Sequence, residues 1–224
     1  KPKNILDMKK LILLAIVFVT SFSSCVEVAP EISTDFTYTG RRVLIEEFTG
    51  VQCVNCPEGS KKIEELVAFH NKQDNYLIPI SIHAGDFSEP YPQSLYDFNT
   101  PEGEILERSH LGPVLGFPIA VVNRRLFDSE NDVPVFLRSW AGHIAQELLK
   151  EPKLEINIDN DFDTTSRELI IEVGLNFSET ITEGLGISIM ILEDDIVDYQ
   201  LTPETGDYLS DRLKALEKFL GDKV

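Results

Sequence analysis

Cys53 and Cys56, in the run Gln52-Cys53-Val54-Asn55-Cys56-Pro57, stand between an apolar strand-like run and a helix-like segment. The strand covers Val43 to Phe48 and the helix Pro57 to His70. Two thiols at this spacing on the first turn of a helix can close into a disulfide and reopen. The first also sits where the unpaired amide groups of the helix favour a thiolate. Ile63, Leu66, Val67 and His70 then fall on one helical face. Tyr76 to His83 reads as a second strand, compact enough to be central, although Pro79 argues against that place. Ala84 to Leu115 is rich in Gly, Pro, Ser and Asp and looks like an insertion, with a helix near Glu102 to His110. Ile119 to Asn123 is a third strand, entered through Gly116-Phe117-Pro118. Val133 to Lys150 reads as a helix that buries Phe136, Leu137, Trp140, Ile144, Ala145 and Leu148.

From Glu151 the period changes to two. Leu154, Ile156 and Ile158 alternate with polar residues, as do Leu169 to Phe177 and Leu185 to Ile191. The spacing predicts an antiparallel β unit of three or four strands, few for a sandwich of about seven. Strands without helices after an α/β segment mark a second domain. Tyr208 to Leu220 reads as a closing amphipathic helix on Leu209, Leu213, Leu216 and Leu220.

The amino terminus reads as a processing signal. Met8-Lys9-Lys10 is a short positive region, and the apolar run Leu11 to Val19 is too short to span a bilayer. Ser23 and Ser24 precede Cys25, in the manner of a bacterial lipoprotein signal cleaved before an acylated cysteine. The alternative is an ordinary signal peptide that leaves Cys25 a free thiol. Lys1 to Asp7 read as upstream of the start at Met8. The sequence thus divides into residues 1–25 (upstream residues and signal), 26–40 (tether), 41–150 (α/β domain) and 151–224 (β domain with a closing helix). Acylating Cys25 leaves one pair of the three cysteines, and export puts that pair where disulfides persist. A formal charge of −18 excludes a basic nucleic-acid surface.

Disulfide exchange needs an exposed attacking thiolate, a second thiol within reach, and a means of holding the partner's sulfur. Cys53 is the expected attacker and Cys56 the resolving thiol. A strand, a CxxC and a helix in that order form a thioredoxin-like redox site. In that fold a cis-proline precedes the strand after the long crossover and lies against the dithiol. Pro118 holds the matching place, the alternative being a plain trans proline at a strand start. A carboxylate six residues before the first cysteine serves such folds as proton shuttle, which assigns Glu47. Its neighbour Glu46 points to the opposite face, and one of the two could be merely solvated. A metal is the rival reading of the pair. Zinc needs four ligands, and here no second Cys pair and no closely spaced His pair exists. No cofactor motif appears, so the sulfurs are the expected reactive centre.

Leu44 to Gly50, Cys53 to Pro57, Gly116-Phe117-Pro118 and Val122-Asn123-Arg124 together resemble the twenty-eight-kilodalton outer-membrane protein family of Bacteroidetes-type bacteria. The resemblance covers about Arg41 to Gln200. It implies a lipoprotein with a thioredoxin-like domain followed by an immunoglobulin-like β domain, attached to the outer membrane. Thiol–disulfide exchange on exported or envelope proteins is one expectation for such a chain. The other is a surface-binding, adhesin-like role with Cys53–Cys56 a static disulfide. The family's further strands after Leu201 are replaced here by the short closing helix, which leaves open whether the second domain is complete or truncated.

Overall fold

The computed structural model describes residues 37–110, 116–182 and 184–202. Cys25, the tether before residue 37 and the helix expected at Tyr208 to Leu220 lie outside the described residues. Strand β1 (Val43–Thr49) leads through the CxxC turn into α1 (Cys56–His70), and β2 (Leu77–His83) follows. Asn71 closes α1 onto β2: its side-chain amide donates to Leu77 O and its carbonyl accepts from Leu77 N, both at 2.8 Å. β1 and β2 run parallel, from Val43 opposite Leu77 to Thr49 opposite His83. After α2 (Pro101–His110), β3 (Ile119–Val122) pairs antiparallel with β1, and β4 (Val135–Phe136) antiparallel with β3. The sheet order is β2-β1-β3-β4.

Every residue of β3 is buried, and all of β1 but the half-buried Leu44. Strands covered on both faces are apolar on both, as β3 is throughout, and β1 departs from this at the buried Glu46, Glu47 and Thr49. On one face Phe48, Ile80, Ile82, Ile119 and Val121 form a cluster, against which Leu106 of α2 and Phe117 pack. Helix α3 (Trp140–Leu148) packs on β1 and β3 and fully buries Trp140, Ile144 and Leu148. Each such buried side chain contributes about 1.5–3 kcal/mol. The Trp140 indole N–H donates to Val135 O at 2.9 Å, so the ring is buried with its polar atom satisfied.

The chain enters this domain under a clasp. Thr39 Oγ1 donates to Lys150 O at 2.6 Å, and Arg41 Nη2 to Glu147 Oε2 at 2.9 Å. Glu147 is fully buried and also accepts from Asn123, Arg125 and Lys150. A carboxylate survives such burial only when cations and donors surround it.

Three expectations are corrected. Among the described residues β2 is an edge strand, not a central one, and an edge is where a strand tolerates Pro79. The run from Val133 is not helical at its start. Pro134 disfavours the α region at Val133, and Val135 and Phe136 pair with Ala120 and Ile119 instead. A 3₁₀ turn (Leu137–Ser139) then opens α3, and Phe136 is exposed rather than buried.

The third correction lies in the β unit. Strands β5 (Leu154–Asp163) and β6 (Glu168–Phe177) form a two-stranded antiparallel hairpin. Its turn is fixed by Asp163, whose Oδ1 accepts from Thr165 N at 2.7 Å while its carbonyl accepts from Arg167 N at 2.8 Å. Leu185 to Ile191 keep their alternation and line an open apolar cleft beside the hairpin, yet are not strand. With two strands and no opposing layer among the described residues, Ile156, Ile158, Ile187 and Ile191 stay more than half exposed.

Candidate active site

Gly50 ends β1 and begins the turn that carries the dithiol. A Cβ there would overlap the Phe87 carbonyl and stand 2.8 Å from Ser88 N. Only glycine lets the loop after β2 come this close. Gln52 then ties the two segments: its N–H donates to Phe87 O at 2.9 Å and its side-chain amide to Glu89 O at 2.8 Å. Cys53 N donates to Gly50 O at 3.0 Å, and the turn delivers Cys56 as the first residue of α1. Pro57 follows in the first helical turn, where a missing N–H costs nothing.

Cys53 and Cys56 are joined in a disulfide with Cα atoms 5.4 Å apart. The sequence reading called for an exposed attacking sulfur. In this oxidised state Cys53 is 3% exposed and Cys56 1%. One segment bonded to the backbone of this loop comes from far along the chain. Leu201 N donates to Val51 O at 2.8 Å, and the Gln200 side-chain amide donates to Gly50 O at 3.2 Å and Cys53 O at 3.1 Å. Asp198 anchors that segment by accepting from Leu95 N and Tyr96 N, each at 2.8 Å.

Glu47 and Pro118 meet at Gly59, one turn beyond Cys56. A Cβ on Gly59 would run into Glu47 Oε1 and stand 2.8 Å from Pro118 Cβ. The Phe117–Pro118 bond is cis. Glu47 is fully buried; Ser81 Oγ donates to its Oε2 at 3.3 Å, and its Oε1 has no hydrogen-bond partner among the described residues. Burial pushes the Glu47 carboxyl up to about 8, against a smaller downward pull from the Ser81 and Ser60 hydroxyls. The group is therefore neutral at pH 7 and holds a proton beside the dithiol helix.

Glu46, on the opposite face of β1, is not solvated either. It is fully buried and grips Arg124 through two bonds, Nε at 2.8 Å and Nη2 at 2.6 Å. Asn123 and Arg124 both take φ of 49°, in the left-handed region. Asn123 supports that turn by accepting from Leu44 N at 2.9 Å through Oδ1. The adjacent carboxyls thus differ sharply: one is paired with a cation, the other is protonated.

The histidines lie apart. His70 shares a hydrogen bond with Tyr38 at 3.2 Å, and His143 one with Glu130 at 2.9 Å. His83, at the end of β2, lies 4.9 Å from the Phe98 ring between centroids, and burial pushes it down to about 4. Among the described residues no group of three or more His, Cys, Asp or Glu stands close enough to hold a metal ion. No helix of the described residues is long and apolar enough to cross a membrane.

Sequence reasoning missed Gly59, Ser81 and Gln200. Gly59 did leave a signal: a glycine inside a helix costs about 1 kcal/mol against alanine and calls for a packing reason. Ser81 could have been found from the strand pairing, since it stands directly opposite Glu47. Gln200 left no local signal. Comparison with protein-family models, with curated proteins and with solved structures returned no match for this chain.

Proposed function

We propose that this chain is a thioredoxin-like thiol–disulfide oxidoreductase acting on exported or envelope proteins, held at the outer membrane by lipid on Cys25. The observation that carries this reading is the meeting of Glu47 and Pro118 on Gly59, one helical turn from Cys56. A static disulfide has no need of a protonated buried carboxyl beside its helix. The β2-β1-β3-β4 order, with one parallel and two antiparallel pairings, supports the thioredoxin-like assignment. The hairpin after residue 151 is the part read as immunoglobulin-like. Lipidation, membrane and partners rest on the sequence alone.

From the oxidised state, a substrate thiolate attacks Cys53 Sγ and the Cys53–Cys56 bond breaks. Cys56 leaves as a thiolate and takes the proton that Glu47 holds. The second substrate thiolate attacks the substrate sulfur of the mixed disulfide, and Cys53 departs as a thiolate. Two electrons pass from the substrate to the protein: the substrate ends as a disulfide, its thiol protons having gone to solvent on ionisation, while Cys56 carries the proton from Glu47 and Cys53 is left as a thiolate. A substrate disulfide meeting the reduced protein runs the same steps backwards, with Glu47 as the base. Pro118 lines the place where the substrate strand would lie.

A second reading, a surface-binding protein with a structural disulfide, is favoured by the burial of both cysteines. The two readings separate by reduction potential and turnover. An oxidoreductase exchanges with glutathione buffers and reduces insulin in the presence of dithiothreitol, and Cys53→Ser abolishes the turnover. A potential below about −300 mV, with no insulin turnover, overturns the redox reading and leaves the binding one.

A further inference from the structure

We infer that residues 198–201 occupy the surface on which the dithiol loop takes hold of an extended segment of a cysteine-bearing partner protein, so that substrate binding displaces the chain's own strand. The inference rests on the redox reading above and names how that site recognises its partner.

The contacts of this segment are those of a bound peptide. Leu201 N meets Val51 O at 2.8 Å, a main-chain bond any extended polypeptide can make. The Gln200 amide bridges Gly50 O and Cys53 O, two carbonyls on either side of the turn. Tyr199 is an isolated bridge residue with no ladder beyond it. Asp198 supplies the anchor, one buried carboxylate oxygen accepting two amide protons from the loop of Leu95 and Tyr96. Charge-assisted bonds of this kind are the strong ones, so Asp198 is the firm anchor of a segment whose other bonds to the dithiol loop are between neutral groups.

The same segment holds the backbone of the buried Cys53. Exchange requires a sulfur nucleophile to reach Sγ in line with the breaking bond. Cys53 is 3% exposed and its carbonyl is held by Gln200, and departure of the segment is the opening that this inference assigns to that approach. Among the described residues the segment carries one isolated bridge and no strand, and parts of a fold outside its regular sheets can open without global unfolding. The partner that fits is a strand-like stretch offering one main-chain N–H to Val51 O, with an amide or other donor side chain one residue earlier.

The test uses the full chain and two variants. Leu201→Pro deletes the N–H that meets Val51 O, and Gln200→Ala removes the side-chain bridge while leaving the backbone intact. The readouts are the rate at which dithiothreitol opens the disulfide and the rate at which iodoacetamide alkylates reduced Cys53. Both rates are expected to rise about tenfold, the scale set by one or two lost hydrogen bonds. A synthetic peptide of residues 196–202 should slow them again in either variant. Rates within twofold of the parent in both variants, with circular dichroism and Trp140 emission unchanged, overturn the inference, as does an acceleration that the peptide fails to reverse. These readouts measure access, not turnover. Faster alkylation in variants that never reduce insulin upholds the displaceable segment and removes the redox reading instead.

Discussion

The carboxyl of Glu47 stands in the space that a side chain on Gly59 would fill. This one approach ties the strand before the dithiol to the helix after it. It sets both the proton chemistry and the packing limits of the site.

Gly59→Ala is the direct test of that packing. On an exposed helix the change would stabilise by about 1 kcal/mol. Here the new methyl meets Glu47 Oε1 and the Pro118 ring, and overpacking of this kind costs about 1–3 kcal/mol. Urea unfolding should show a lower midpoint for the variant.

Glu47 makes stability depend on pH. Its folded pKa, about 8, lies above the ordinary value of 4.5. The folded protein therefore holds one proton more than the unfolded chain between those values, and stability falls as pH rises through them. The loss should reach a few kcal/mol by pH 9. Glu47→Gln keeps a neutral side chain at every pH. Urea midpoints at pH 5, 7 and 9 should decline in the parent and stay nearly level in the variant.

His83 works on the acid side. Burial holds its folded pKa at about 4, below the usual 6.5. The unfolded chain binds the extra proton between these values, so this contribution is lost as pH falls from 6.5 through 4. His83→Phe should flatten that part of the profile, read by thermal unfolding at pH 4, 5 and 6.5.

Arg124 neutralises a carboxylate that has no access to water. Arg124→Met leaves Glu46 buried and unpaired, at a cost of about 3–5 kcal/mol. Glu46→Leu combined with Arg124→Met should recover most of it. A double-mutant cycle by urea unfolding measures the coupling.

Much of the α/β region was legible because its signals are local. The β1–CxxC–α1 order follows from an apolar run, a dithiol and a helical face within thirty positions of one another. What stayed hidden depends on pairing at a distance. Nothing near Pro79 says which side of β2 lacks a neighbour. Phe136 keeps a helical spacing from Trp140 yet answers to Ile119. Leu185 to Ile191 carry a strand's alternation, but a strand exists only where a partner lies alongside, and none does among the described residues. Within the site, Glu47 and Pro118 were visible as positions. The bonds from Gln200 and Leu201 were not, because they reach back some 150 positions, one from an ordinary amide side chain and one from a main-chain N–H that any residue but proline carries.

The Glu147 clasp has a mechanical meaning. Traction applied through the amino-terminal end arrives first at Tyr38, which bonds His70 at the end of α1, and then at Thr39 and Arg41, which are fastened to the carboxy-terminal end of α3. The load therefore divides between the far ends of α1 and α3 before it reaches β1, and both points of entry lie away from the turn that joins β1 to Cys56.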